Sequence, residues 1–185
     1  TATGSGSQIY DDNNSTSSVS YSLVQGGFSG TGNLSTDPLF ANAASGDLRL
    51  LPGSPAIDAG TNTGEPATDI RGLSRPVNVV TDMGAYESRG FALTKTGGDG
   101  QSATINTLFT TSPLAVSVAS NGASEPVNGG KITFTAPASG PSATLAPNPS
   151  TINCSGSPTV CSTSVNATAN ATAGGPYNVA ASAAG

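Results

Sequence analysis

A surface helix needs a charged or polar face opposite its apolar stripe, and this chain has little to build one from. Charged residues make up 9% of the 185, and Lys and Arg together number 6. Glycine (24) and proline (13) are abundant, and Ser, Thr, Ala and Asn dominate the remainder. Such a mixture suits short strands, tight turns and small-residue ladders. Apolar residues still reach 35% and fall into short alternating runs, which argues for an ordered chain. The expected class is all-β.

The charge balance narrows the partners. A formal net charge of −5 gives no means of neutralising phosphates, so nucleic acid is not an expected partner. The sign is also wrong for an anionic membrane. No apolar run approaches the roughly 18 residues of a spanning helix. No signal peptide is read, and the opening at Thr1 without Met suits a processed or excised piece.

Two cysteines, Cys154 and Cys161, flank Ser155-Gly156-Ser157-Pro158. They are expected to form a hairpin disulfide, which implies an oxidising compartment; the alternative is two free thiols. A zinc site is not expected, because histidine is absent and two thiolates fill only half of a tetrahedral shell. No cofactor is expected.

The chain reads as two parts, 1–88 and 89–185. In the first, Gln8-Ile9-Tyr10 and Val19-Ser20-Tyr21-Ser22-Leu23-Val24 alternate between turn clusters, Asp11-Asp12-Asn13-Asn14, Gly26-Gly27 and Gly30-Thr31-Gly32-Asn33. That is a strand signal, and pieces this short need neighbouring coils to cover them. Over 37–87, Pro38, Pro52, Pro55, Pro66 and Pro76 are too frequent for central strands. The segment reads as a cap. Leu39, Phe40, Leu48, Leu50, Ile57, Ile70, Met83, Ala85 and Tyr86 are its expected buried side, and Gly53, Gly60, Gly72 and Gly84 its turns.

The same segment holds Asp37, Asp58, Asp69, Asp82 and Glu87 with Arg49, Arg71 and Arg75. Paired carboxylates can hydrolyse glycosides, and Asp-rich turns can bind calcium. The favoured reading is structural: Asp58, Asp69, Asp82 and Glu87 anchor turn backbones or pair with Arg71 and Arg75.

The order Asp37-Pro38-Leu39-Phe40, Pro52-Gly53-Ser54-Pro55-Ala56-Ile57-Asp58-Ala59-Gly60, Asp69-Ile70-Arg71-Gly72, Arg75-Pro76 and Asp82-Met83-Gly84-Ala85-Tyr86-Glu87 resembles the end of a family of large bacterial surface proteins, of the choice-of-anchor Q kind. In these a right-handed parallel β-helix closes with such a run. The resemblance implies that 1–88 are terminal coils and cap of a β-helix, in an extracellular structural or adhesive protein rather than an enzyme.

From Phe91 charge nearly vanishes and strand-like runs recur: Phe91–Thr94, Ser102–Ile105, Leu114–Val118, Lys131–Thr135, Ser142–Leu145, Ser150–Asn153, Ser162–Thr168 and Tyr177–Ala181. Turn signals separate them, notably Asn121-Gly122, Asn128-Gly129-Gly130, Pro147-Asn148-Pro149 and Gly174-Gly175-Pro176. That is the rhythm of a β-sandwich. Pro126-Val127-Asn128-Gly129, Phe134-Thr135-Ala136-Pro137-Ala138-Ser139-Gly140-Pro141 and the stretch from Ala167 to Tyr177 resemble the bacterial Ig-like domains of invasin- and intimin-like surface proteins. Lys131 stands where those domains usually carry an apolar residue.

In tandem arrays of such domains a strand patterned like Phe91-Ala92-Leu93-Thr94 completes the domain before it. Here it follows no Ig-like domain, and the chain stops soon after Tyr177-Asn178-Val179-Ala180. Phe91, Ala92, Leu93 and Thr94 are therefore a candidate donor strand for a second copy, giving a head-to-tail homopolymer. The bland alternative is a fragment whose own continuation supplies the strand. Other surface proteins and glycans are further candidate partners. The expected location is outside the cell, on a bacterial surface.

The alternative function is the non-catalytic C-terminal part of a carbohydrate-active β-helix enzyme. An ice- or surface-binding solenoid is disfavoured by the scatter of the threonines. The sequons at Asn14, Asn33, Asn166 and Asn170 are read as products of composition.

Overall fold

The structure, a computed structural model, describes Ile9 and residues 16–123, 125–157 and 159–184. Gln8, Tyr10, the expected turn 11–14, the sequon asparagine Asn14 and Pro158 lie outside the described residues. The fold is all-β with antiparallel sheets. The chain divides into two compact units. One runs through Leu50, resumes over Ser54–Arg89 and includes Ala184; the other comprises Leu51–Gly53 and Gly90–Ala183.

The first unit has little regular structure. Strands β1 (Phe40–Asn42) and β2 (Asp47–Leu50) form an antiparallel hairpin in which Phe40 faces Leu50. The Asn42 side chain accepts the N–H of Ser45 and caps the one 3₁₀ turn between them. The strand expected over 19–24 is reduced to a single parallel bridge between Leu23 and Leu34. Asn33 takes over the work of a ladder there. Its Oδ1 accepts the N–H of Ser22, and its Nδ2 donates to the carbonyls of Val19 and Phe28.

Beyond β2 the unit is a succession of turns. Gly72 and Gly84 sit at positive φ, where a side chain is strained. Gly60 is needed for space, since a Cβ would stand 2.8 Å from the carbonyl oxygen of Thr81.

The interior corrects part of the expected core. Leu50, Ile57 and Met83 are buried, but Ile70 is 69% exposed and Leu48 and Ala85 also face solvent. In their place Asp69, Thr81, Asp82, Glu87, Ser54 and Ser88 are buried. The reason is backbone demand. Turns that make few ladder bonds leave N–H groups to satisfy, and carboxylates satisfy several at once. Asp69 points inward for that purpose, and Ile70 beside it is left outside.

Among the described residues the second unit holds eight strands: β3 (Phe91–Gly97), β4 (Leu114–Ser120), β5 (Lys131–Thr135), β6 (Ala143–Ala146), β7 (Ser150–Thr151), β8 (Asn153–Ser155), β9 (Val160–Ala169) and β10 (Ala180–Ser182). One antiparallel sheet has the order β3-β4-β9-β6, with β8 also on β9; the other runs β10-β5-β7. Alternation along the strands buries Val116 and Val118 of β4, Ile132 and Phe134 of β5, and Val165 and Ala167 of β9.

The segment 150–155 starts in one sheet as β7 and finishes in the other as β8. Ile152 lies between them with no exposed surface. Its N–H donates to the carbonyl of Gly130, and its carbonyl accepts from Gly129. Between Pro147 and Pro149, the Asn148 amide imitates a strand: Oδ1 accepts the N–H of Phe134 and Nδ2 donates to its carbonyl.

Two expected strands differ. Ser102–Ile105 is a turn region without ladder bonds. The Gln101 amide closes that loop, donating to the carbonyls of Gly98 and Ser112 and accepting the N–H of Ser112. The run 177–181 shrinks to Ala180–Ser182 paired with β5. Lys131 lies at the start of β5 opposite Thr151, and its ammonium meets the Thr151 hydroxyl.

Candidate functional site

The chemically richest place in the chain is the buried acid cluster of the first unit. Asp69 follows the turn entrance at Ala67 and Thr68, and its carboxylate accepts four donors. Oδ1 takes the N–H of Arg71 (2.8 Å) and Leu73 (3.1 Å); Oδ2 takes the Nε–H of Arg71 (2.8 Å) and the N–H of Glu87 (3.2 Å). Burial pulls its pKa upward. The Arg71 guanidinium and the three backbone donors outweigh that and hold the carboxyl below the ordinary value. Arg71 also donates to the Glu87 carbonyl and lies over the ring of Tyr86.

Asp82 and Glu87 form the second half. Asp82 Oδ1 accepts the N–H of Asp58 (2.8 Å), and Oδ2 that of Ser88 (2.6 Å). Glu87 Oε1 accepts the N–H of Val77, and Oε2 that of Asp82. The Arg75 guanidinium is almost wholly buried and donates to the carbonyls of Asp82 and Gly84. Its Nε lies 3.3 Å from Glu87 Oε2, close enough for an ion pair but not aligned as a hydrogen bond. Burial drives the pKa of Asp82 up to about 7, against the pull of the Ser88 and Asp58 N–H groups and with help from the charges of Glu87 and Asp58.

Asp58 is the exposed member, at φ 55°, a conformation that Asp tolerates better than most residues. Its carboxylate accepts from the Asn78 amide. The structure thus brings together the six expected residues Asp58, Asp69, Arg71, Arg75, Asp82 and Glu87. They clamp three stretches of chain, 54–60, 67–77 and 81–88. A glycosidase pair must face its substrate across a cleft. Asp69, Asp82 and Glu87 instead are at most 5% exposed and spend their lone pairs on main-chain donors.

Among the described residues no group of three or more His, Cys, Asp or Glu is placed to hold a metal ion. No helix among them is long and apolar enough to cross a membrane.

In the second unit Cys154 and Cys161 are directly opposed across the β8–β9 ladder and form the expected disulfide. Phe91, Ala92, Leu93 and Thr94, the candidate donor strand, lie within the chain's own sheet. They open β3, pair with Ser120, Ala119, Val118 and Ser117 of β4, and bury Phe91 within the same chain. Intramolecular pairing satisfies the β4 edge at once, without the concentration-dependent cost of a second molecule. One recess of this unit, about 490 Å³, has Thr96, Ala115, Asn153, Ser162 and Ser164 among its lining, which carries no aromatic rings or charges. Two sequon asparagines are engaged as clamps: Asn33 as above, and Asn170, which accepts the N–H of Ser142 and Thr172 and donates to Gly140.

Sequence reasoning missed Arg75 as a donor to main-chain carbonyls, and it missed the amide clamps of Asn33, Gln101, Asn148 and Asn170. For Asn33, Gln101 and Asn148 the signal available was an amide placed beside Gly or Pro, where ladder bonds fail; Asn170, between Ala169 and Ala171, carried no such signal. No protein-family model, curated protein or solved structure matches the chain.

Proposed function

We propose that this chain is a structural module of an extracellular protein on a bacterial surface, with no catalytic role of its own. The first unit is read as terminal coils and cap of a parallel β-helix, and the second as an Ig-like spacer domain. The observation that carries this reading is how the acids are used. Asp69, Asp82 and Glu87, the groups best suited to chemistry, are enclosed and committed to holding turns. The disulfide adds support for an oxidising compartment. The parallel bridge between Leu23 and Leu34 is compatible with a last coil. The segment that passes from one sheet to the other at Ile152 is compatible with a sandwich.

Adhesion or stalk formation then rests on stacking and surface contacts, since β3 is occupied within its own sheet. The test is location and redox state in the producing cell. A membrane-impermeant amine label should reach Lys95, 64% exposed in its side chain, on intact cells, with Cys154 and Cys161 bridged. Recovery from the cytosol with both thiols reduced would overturn the reading.

A further inference from the structure

The sequence contains two Asn-Gly pairs, Asn121-Gly122 and Asn128-Gly129, and the fold treats them oppositely. Asn128 is pinned, its Oδ1 accepting the N–H of Cys154 at 3.0 Å. The N–H of Gly129 donates to the carbonyl of Ile152 at 2.9 Å, and Gly129 is held at φ 88°. Asn121 instead lies exposed in the bend after β4. Among the described residues neither its side-chain amide nor the N–H of Gly122 has a hydrogen-bond partner. Its own N–H donates to the carbonyl of Gly90 at 3.0 Å, and the carbonyl of Gly122 accepts the Ser120 hydroxyl and the N–H of Glu125; these bonds hold the bend but engage neither the Asn121 amide nor the Gly122 nitrogen.

An Asn-Gly pair can close a ring on itself, because glycine has no Cβ to keep its nitrogen from the preceding side chain. We infer that Asn121 is a site of spontaneous covalent modification, and that the fold suppresses the same reaction at Asn128. The main-chain nitrogen of Gly122 attacks Cγ of Asn121 as it gives up its proton. The new N–Cγ bond forms, the Cγ–Nδ2 bond breaks, and Nδ2 leaves as ammonia with that proton. Water then adds to either carbonyl of the cyclic imide and reopens it to aspartate or isoaspartate. No oxidant, reductant or enzyme is required. At Asn128 the attacking nitrogen would have to release Ile152, and the side chain would have to release Cys154.

The product places a carboxylate on the bend that leads from β4 toward the buried Val127. The isoaspartate form also reroutes the main chain through Cβ and lengthens that connection.

The test compares the two pairs within one molecule. The folded, oxidised chain is held in mildly alkaline buffer, sampled over time, digested and separated so that Asn, Asp and isoAsp peptides are resolved by mass and retention. Asn121 should convert at least about tenfold faster than Asn128, since reaction at the protected pair waits on local opening. In urea, with the disulfide reduced, the two rates should converge. Equal rates in the folded chain, faster loss of Asn128, or a ratio unchanged by unfolding would each overturn the inference.

Discussion

Glu87 holds the main chain of Asp82, and Asp82 holds that of Ser88, the residue after Glu87. Glu87 Oε2 accepts the N–H of Asp82 at 3.0 Å, while the Asp82 side chain reaches past Glu87 to the N–H of Ser88 at 2.6 Å. Two acids five residues apart in sequence thus close a loop that has no ladder of its own, with Arg75 donating to two carbonyls within it.

The first prediction concerns pH. The folded pKa of Asp82 is raised to about 7, above the ordinary carboxyl value of 3.8. A raised acid binds its proton more tightly in the folded state, so stability increases as pH falls from about 7 toward about 4. The slope approaches about 1.4 kcal/mol per pH unit where only the folded state is protonated. Asp69 acts the other way: its lowered pKa contributes stability that is lost as pH falls through its folded value. The first unit should therefore melt highest on the acid side of neutrality. Thermal melts across that range would show it, and Asp82→Asn should flatten the profile; a profile rising toward alkaline pH contradicts the assignment.

Neighbouring residues give the second prediction. Asp69→Ala removes an acceptor from three backbone N–H groups and from Arg71 and should cost about 3 kcal/mol. Ile70→Ala, at a position 69% exposed, should change stability by less than about 0.5 kcal/mol. Urea midpoints of the two variants would settle the order, and equal effects would refute a polar interior.

The third prediction is for the disulfide. Cys154→Ser with Cys161→Ser opens a loop of sequence separation 7 and should lower the stability of the second unit by about 2–3 kcal/mol. The strands on either side of β9 keep their pairing, so circular dichroism at low temperature should be unchanged. Loss of the β signal at low temperature would mean that the bridge is required for folding itself.

Phe91→Asp combined with Leu93→Asp separates the two uses of β3. Because Phe91 is buried against its own unit, the double variant should unfold that unit, at a cost of about 3–5 kcal/mol or more. A folded monomer with unchanged melting behaviour, produced from a wild type that polymerises, would favour strand donation.

The strands of the second unit were legible wherever β-branched residues alternate, as in Leu114–Val118, Lys131–Thr135 and Ser162–Thr168. Ser102–Ile105 carries the same polar-apolar alternation, but its one large apolar residue, Ile105, finds no partner and stays 43% exposed. Pattern alone cannot separate these cases, because a strand exists only if a neighbour accepts its edge. The acids of the first unit could be read as turn anchors from their Asp-x-Arg-Gly and Asp-x-Gly settings. Which backbone groups they satisfy was not legible, since Asp82 binds Asp58 across 24 positions and Asp69 binds Glu87 across 18.

The enclosed carboxylates also bear on temperature. Exposing polar groups lowers the heat capacity of a chain, whereas exposing apolar ones raises it. The first unit hides Asp69, Asp82, Glu87, Thr81 and Ser54, while the second hides Ile132, Ile152, Phe134 and Val165. Unfolding the first unit should therefore release little heat capacity for its size, and its free-energy curve should be the shallower of the two. On cooling, the valine- and isoleucine-filled sheets lose their driving force sooner, and the hydrogen-bonded first unit holds its stability over the wider span of temperature.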